Sequence, residues 1–484
     1  MPVDLNSKPR DVDPENEPGR TMFGPMLRNL QANILKPHGR DFARHVFLRF
    51  TASPGRVKRW IREEVTPKVS RAESQYNLER GPDGRAVDGG LVIGFFLSAD
   101  GYRHLGLAVN QFDGIFREGM KRGGGEDPRP ETWEAPFRGE VHALVTLADD
   151  AFDTVRDAAL ALKATANGIA EVLVIEEGNV LRRGKEVVEH FGYFDGISKP
   201  VFTRPDLERE RRDHGGFDGW NPGAPLKLVL LDDPHAQATD AFGSYLVYRK
   251  LAQDVQAFEQ RVAALAAGLN PPPAGPPVSS DLAGALAVGR FKDGTPVVLR
   301  DAAGLGPANN FNFEEDGSEF RCPFHSHIRK VNPRGTTPLT SEESERGRRI
   351  ARRGIPYGPP IAGVSDPHPD IPTSADPAAR RGLLFMCFQE NIATQFRFIQ
   401  TTWADNNKFP TNVNPLDKQP NTGDDPVIGQ GMEEPQAWPE QWNDPVGPSK
   451  KFDKGMRRFN FESAVTLRGG EYFFAPSLPF LESL

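Results

Sequence analysis

The chain has 484 residues, 38% hydrophobic and 26% charged, with a formal net charge of −7. That length suits two to four domains with buried cores, and the acidic balance disfavours nucleic acid as a partner. Two cysteines, Cys322 and Cys387, can form neither a disulfide framework nor a CxxCH attachment site. The N-terminus carries no apolar leader, and the strongest apolar run, LVIGFFL (91–97), is too short for a bilayer. A soluble, cytoplasmic chain without a membrane partner is expected.

In chain order, residues 1–20 are polar and proline-rich and predict a mobile arm. HVFLRF (45–50) alternates as a strand, and Ser53-Pro54 opens a helix carrying Val57, Ile61 and Val65 on one face. LVIGFFL and VHALVTL (141–147) read as further strands. A helix bearing Phe152, Val155, Ala159 and Leu162 and the strand EVLVIEE (171–177) follow. In the second half, SYLVYRK (244–250) leads into a helix with Leu251, Val255, Phe258, Val262 and Leu265 at helical spacing. Asn270-PPPAGPP reads as a stiff surface loop. LLFMCF (383–388) leads into another helix with Ile392, Phe396, Ile399 and Trp403. Each half thus offers two strand–helix units. The pattern predicts an α+β protein of two tandem ferredoxin-like domains with antiparallel sheets, over residues 21–220 and 221–484.

Three stretches carry chemistry. In HFGYFDGISKP (190–200), Asp195 is a lone carboxylate among aromatics and glycines. It is either a turn residue satisfied by nearby amides or an acid with a task. RCPFHSHIRKVNPR (321–334) holds His325 and His327 beside Arg329, Lys330 and Arg334. Imidazole suits iron, zinc or copper, and arginine suits the carboxylates of an anionic cofactor; a solvated basic loop is the plainer account. GRRIARRGIPYG (347–358) has arginines at 348, 349, 352 and 353 and reads as a basic helix end stopped by Gly354. HExxH, paired CxxC, Walker A, GxSxG and GxGxxG motifs are absent, and the GGG at 123–125 lacks the following Lys-Ser/Thr of a phosphate loop.

Taken together and in this order, the three stretches resemble the dye-decolorizing peroxidases, haem enzymes that use hydrogen peroxide. Gly192-Tyr-Phe-Asp-Gly196 matches that family's GxxDG motif, Cys322 to Arg334 looks like its proximal-histidine segment, and Arg352 to Gly358 is similar to its distal-arginine segment. The likeness runs from LQANILKPHGR (30–40) to GGEYFFAPS (469–477). It implies non-covalent haem b in the C-terminal domain, with His327 as the axial iron ligand and His325 as the alternative. Asp195 would shuttle the proton, Arg352 would stabilise charge, and Gly196 would let the loop approach the cofactor. Arg334 and Arg329 would meet the propionates, and Leu383 and Phe385 would form the apolar distal wall.

Many relatives carry an acid in the turn occupied here by Glu390-Asn391, so one of these two is expected to partner His327; an amide there would raise the ferric/ferrous potential. Tyr357 is the candidate for relaying electrons from bulky donors. The implied activity is oxidation of dyes, phenols and other aromatic donors by hydrogen peroxide through a ferryl (compound I) intermediate. Because Asp195 must start ionised, an optimum on the acidic side is expected. An iron-releasing porphyrin enzyme and a non-catalytic haem store are the alternatives, and a store needs no Asp195–Arg352 pair. A homo-oligomer is compatible with the sequence.

Overall fold

A computed structural model of the chain describes residues 3–77, 90–122, 125–269, 278–317, 319–337, 341–361, 364, 381–410, 422–430, 435–443 and 456–484. The proline-rich loop expected at 270–277 and Gly123-Gly124 lie outside the described residues.

Alternating or continuous apolar runs form the strands, as their periodicity requires. β1 (Phe42–Phe50), β2 (Val92–Ser98), β3 (Ala143–Asp149) and β4 (Ala170–Asn179) pair antiparallel in the order β2-β3-β1-β4. The helix Phe152–Thr165 buries Val155 and Ala159. The second half repeats the arrangement. β5 (Phe242–Gln253), β6 (Ala351–Arg352), β7 (Ile355–Tyr357), β8 (Gly382–Gln389) and β9 (Val465–Ala475) give the order β7-β8-β5-β9, with β6 also paired to β8. Both halves are ferredoxin-like α+β units. They join where Phe473 and Phe474 of β9 pair with Ser98 and Leu97 of β2.

The two halves of the joined sheet lie face to face over the main core. Phe47 of β1 meets Tyr248 of β5 edge-on with ring centroids 4.8 Å apart, and Phe96 of β2 packs near Phe388 of β8 at 6.0 Å. At the far edges β4 touches β7 so closely that a Cβ on Gly178 would lie 2.5 Å from Ile355 Cγ2, so only glycine fits there. One buried ion cluster crosses this core: Lys250 Nζ lies 2.8 Å from Glu134 and 2.9 Å from Glu176.

A second core packs on the outer face of β5 and β9 through Leu251 and Val465. It contains Phe258 and Leu265 of the helix Val255–Gly268, Leu286 of the helix Ser280–Val288, and Phe191 and Tyr193. Phe191 stacks on Phe258 with centroids 4.1 Å apart. The Asp195 loop therefore packs onto the C-terminal half, although it follows the strands of the N-terminal one.

Three local expectations change. Residues 3–18 pack against the body instead of standing away as an arm: Val12 is buried and its carbonyl accepts from Arg204 N at 2.8 Å. Leu251 continues β5, and the second-half helix starts at Val255 behind the N-cap Asp254. After β8, Ile392 lies in a turn and helix begins at Phe396, because Gln395 breaks the helical backbone with φ −117°, ψ −91°. Among the described residues no helix is long and apolar enough to cross a membrane.

Candidate functional site

The outer face of the second sheet is where side chains leave the core and line a cavity. Alternation in β5 turns Tyr248 and Lys250 inward between the sheets, while Arg249, Leu251 and Gln253 line a cavity of about 290 Å³. In β8, Leu384 and Met386 are buried, and Leu383 and Phe385 face the cavity. Phe291, Ile328, Val427 and Val465 add further apolar surface. Leu383 and Phe385 thus give this cavity an apolar wall.

His327 opens the short helix His327–Val331 and is the only histidine lining the cavity among the described residues. Its Nδ1 lies 2.8 Å from Asp425 Oδ2. The Asp425 side chain is fully buried, and its Oδ1 accepts from Val427 N at 2.8 Å and Ile428 N at 3.0 Å. The carboxylate is thus fixed, accepts a hydrogen bond from Nδ1–H, and leaves Nε2 as the free ring nitrogen. The expected partners Glu390 and Asn391 are corrected here. Glu390 N donates to Leu228 O and Asn391 Oδ1 accepts from Thr394 N, and neither residue lines the cavity. His327 therefore has a carboxylate acceptor and not an amide. His325 lies off the cavity, fully buried against Trp438 with centroids 4.3 Å apart, and desolvation pushes its imidazole well below the usual range.

Asp195 lines the same cavity, presented by a loop bent through left-handed positions at Gly192 (φ 85°), Gly196 (φ 94°) and Ser198 (φ 64°). Its Oδ1 accepts from Gly196 N at 2.6 Å, and its own N–H donates to Val187 O at 2.9 Å. Arg352 of β6 reaches the loop by donating from Nη2 to Ile197 O at 2.8 Å. Of the other clustered arginines, Arg349 lines the cavity, Arg348 lies over Phe398, and Arg353 turns away to the carbonyls of Asn33 and Ile34. The expected helix end is corrected as well: the helix Glu342–Arg348 stops short, and Gly354 sits between β6 and β7.

Four guanidiniums, those of Arg290, Arg334, Arg349 and Arg352, line the cavity without a carboxylate partner among the described residues. Arg334 donates to the carbonyls of Asn309 and Phe311 and to Ser198 Oγ; Arg290 donates to Gly294 O and Ala308 O, and its Nη2 is buried without a partner among the described residues. Burial, and after it neighbouring guanidiniums, push Arg290 and Arg349 down to about 9 each. Uncompensated buried cations call for an anion. Arg329 does not share in this: it is buried in an ion pair with Asp316 at 2.9 Å and does not line the cavity, which corrects its expected propionate role. Tyr357 is likewise no surface aromatic; it is buried between the sheets, its hydroxyl unbonded among the described residues and its ring 5.1 Å from Lys250 Nζ.

Sequence reasoning missed Asp425, Arg290, Arg349 and Lys199, which also lines the cavity. Among the described residues no group of three or more His, Cys, Asp or Glu could hold a bare metal ion. The residues instead fit an apolar group that needs one imidazole and bears anionic arms.

No family model matches the chain. It is 36% identical, over the full length of both proteins, to the multifunctional dye peroxidase DyP2 of an Amycolatopsis species. It is 31% identical to the dye-decolorizing peroxidase msp1 of Mycetinis scorodonius over 80% of this chain and 75% of that one. Among solved structures, a DyP-type peroxidase of Anabaena superposes with a TM-score of 0.86 at 39% identity, covering 99% of this chain and 98% of the other. The crystal structure of DyP2 gives 0.87 at 35% identity, with both chains fully covered.

Proposed function

Because the chain belongs to the dye-decolorizing peroxidases, and so is a haem peroxidase acting on hydrogen peroxide with a reducing substrate, we propose that it oxidises dyes, phenols and other aromatic donors at the cavity described above. The observation that carries this reading is the meeting, in one apolar cavity, of Asp195, Arg352 and the Asp425-bonded His327.

Haem b would be held without a covalent bond, since both cysteines are buried and free. When bound, the haem supplies the two electrons that reduce peroxide and takes them back singly from the donor. His327 Nε2 would hold the iron, with Asp425 fixing the ring and raising its basicity. Arg290, Arg334 and Arg349 would hold the propionates. Leu383 and Phe385 exclude water from the reacting end. Asp195 accepts the proton of the incoming peroxide and returns it to the outer oxygen, which leaves as water. Arg352 stabilises the negative charge that develops as the O–O bond lengthens. In this reading the N-terminal unit, residues 21–220, contributes the acid–base loop, and residues 221–484 contribute the imidazole and the guanidiniums.

The test is the Soret band of the haem-loaded protein mixed rapidly with peroxide. A fast shift is expected in the wild type and a much slower one in Asp195→Asn. A spectrum indifferent to peroxide, or an Asp195→Asn variant as fast as the wild type, would end the reading.

A further inference from the structure

Lys199 closes the Asp195 loop and lines the cavity, and the mechanism above does not use it. The chain turns at Ser198, whose φ of 64° is unusual for a residue with a side chain. Ser198 Oγ is gripped there by Arg334 Nη2 at 2.9 Å, and the preceding carbonyl of Ile197 by Arg352. The turn sends the Lys199 side chain back along its own loop. Its Nζ ends 3.5 Å from where a Cβ on Gly196 would stand, beside the residue that follows Asp195. No hydrogen bond or ion pair holds this ammonium among the described residues. It is a cation folded onto the loop that presents Asp195 to the cavity.

We propose that Lys199 is a positioning residue of the peroxide site, its ammonium pairing electrostatically with Asp195 and holding that carboxylate turned into the cavity. The inference rests on Asp195 being the proton shuttle. The charges around the pair are mixed. Asp195 has Lys199 at one end of its loop and the buried carboxylate of Glu189 at the other, the latter satisfied by Phe191 N, Tyr193 N and Gln253 Nε2. Lys199 faces Arg352 and Arg353 on and beside β6, Glu210 on the helix Arg204–Asp213, and His38 from the 36–40 segment. Burial pushes the Lys199 ammonium down to about 8, while Asp195 is the strongest influence holding its proton on. Lys199 therefore carries its charge below about pH 8 and becomes neutral as the pH rises through that value.

Two measurements on the haem-loaded protein test this. In the first, lysines are reductively methylated with ¹³C, which keeps their charge, and the Lys199 signal, identified by its loss in Lys199→Met, is titrated by NMR. Asp195→Asn should lower its midpoint by about one pH unit, because the carboxylate no longer holds the proton; an unmoved midpoint overturns the proposal. The second is the pH profile of the peroxide reaction. The wild-type rate should fall as pH passes the Lys199 midpoint. Lys199→Arg, charged throughout, should stay fast and lose that alkaline fall. Lys199→Met should run about tenfold slower below the midpoint and also be flat above it. An alkaline fall retained in Lys199→Arg overturns the proposal. If Lys199→Met gives no folded holoprotein, Lys199→Gln is read in the same way. Should Asp195→Asn leave the peroxide rate intact while the Lys199 midpoint still moves, the pairing stands and the proton-shuttle reading fails.

Discussion

His327 and Asp195 line one cavity but are held in different ways. His327 is bonded to a fully buried carboxylate that is itself fixed by two backbone N–H groups. The helix it opens is tied down by Lys330, whose Nζ donates to the carbonyls of Asn406, Phe409 and Gly423. Among the described residues, Asp195 accepts only the N–H of its own neighbour Gly196. Its surroundings are charges, Lys199 and Arg352, more than bonds. A group that must keep one orientation is built with every lone pair satisfied, whereas one that must take and release a proton keeps an oxygen free.

The largest effect should come from breaking the rigid side. His327→Ala should abolish the Soret band of the reconstituted protein or reduce it to that of loosely held haem. A normal band would shift the ligand to His325, which its position against Trp438 makes structurally unready. Next comes the sparsely bonded side. Asp195→Asn should keep the haem spectrum and slow the peroxide reaction about 10²–10⁴-fold, and Arg352→Leu about 10²–10³-fold, both read by stopped-flow absorbance. Equal loss of haem in Asp195→Asn and His327→Ala would erase the contrast between the two sides.

Those three residues were legible because their segments carry glycine, proline and charge in fixed short order, and such backbone demands are written locally. The longer strands and the α+β class followed from periodicity in the same way, whereas the short strands β6 and β7 and the helix starts at Val255 and Phe396 did not. What is bonded across the fold was not legible. Asp425 lies 98 residues beyond His327, in the segment TGDDPVIGQG, where no period marks which of two adjacent aspartates turns inward. Arg329 was misjudged because residues two apart on a helix face different sides: with His327 toward the cavity, Arg329 meets Asp316 instead. The closure of the two sheets rests on only two residue pairs between β9 and β2, too little to leave a pattern.

A smaller effect should separate fixing from charge on the His327 side. Asp425→Asn keeps the size and one acceptor oxygen but removes the negative charge facing the imidazole. Haem affinity or activity should fall about 10–100-fold. The ferric/ferrous potential, measured by spectroelectrochemistry, should rise, since a less basic ligand stabilises the ferric state less. An unchanged potential would mean that Asp425 serves only to orient the ring.

The smallest effect is expected away from both, at Tyr357. Its hydroxyl is buried between the sheets without a hydrogen bond among the described residues, and its ring lies beside Lys250, which Glu134 and Glu176 already hold. Tyr357→Phe removes an unpaired polar atom and keeps the ring under the ammonium, so stability should change by less than about 1 kcal/mol and could rise. Turnover of a bulky dye should also be unchanged, because a buried phenol has no surface at which to meet a donor. A selective loss of dye turnover, with small phenols still oxidised, would show that an electron crosses this core after all, and would return to Tyr357 the relay role that its sequence context suggested.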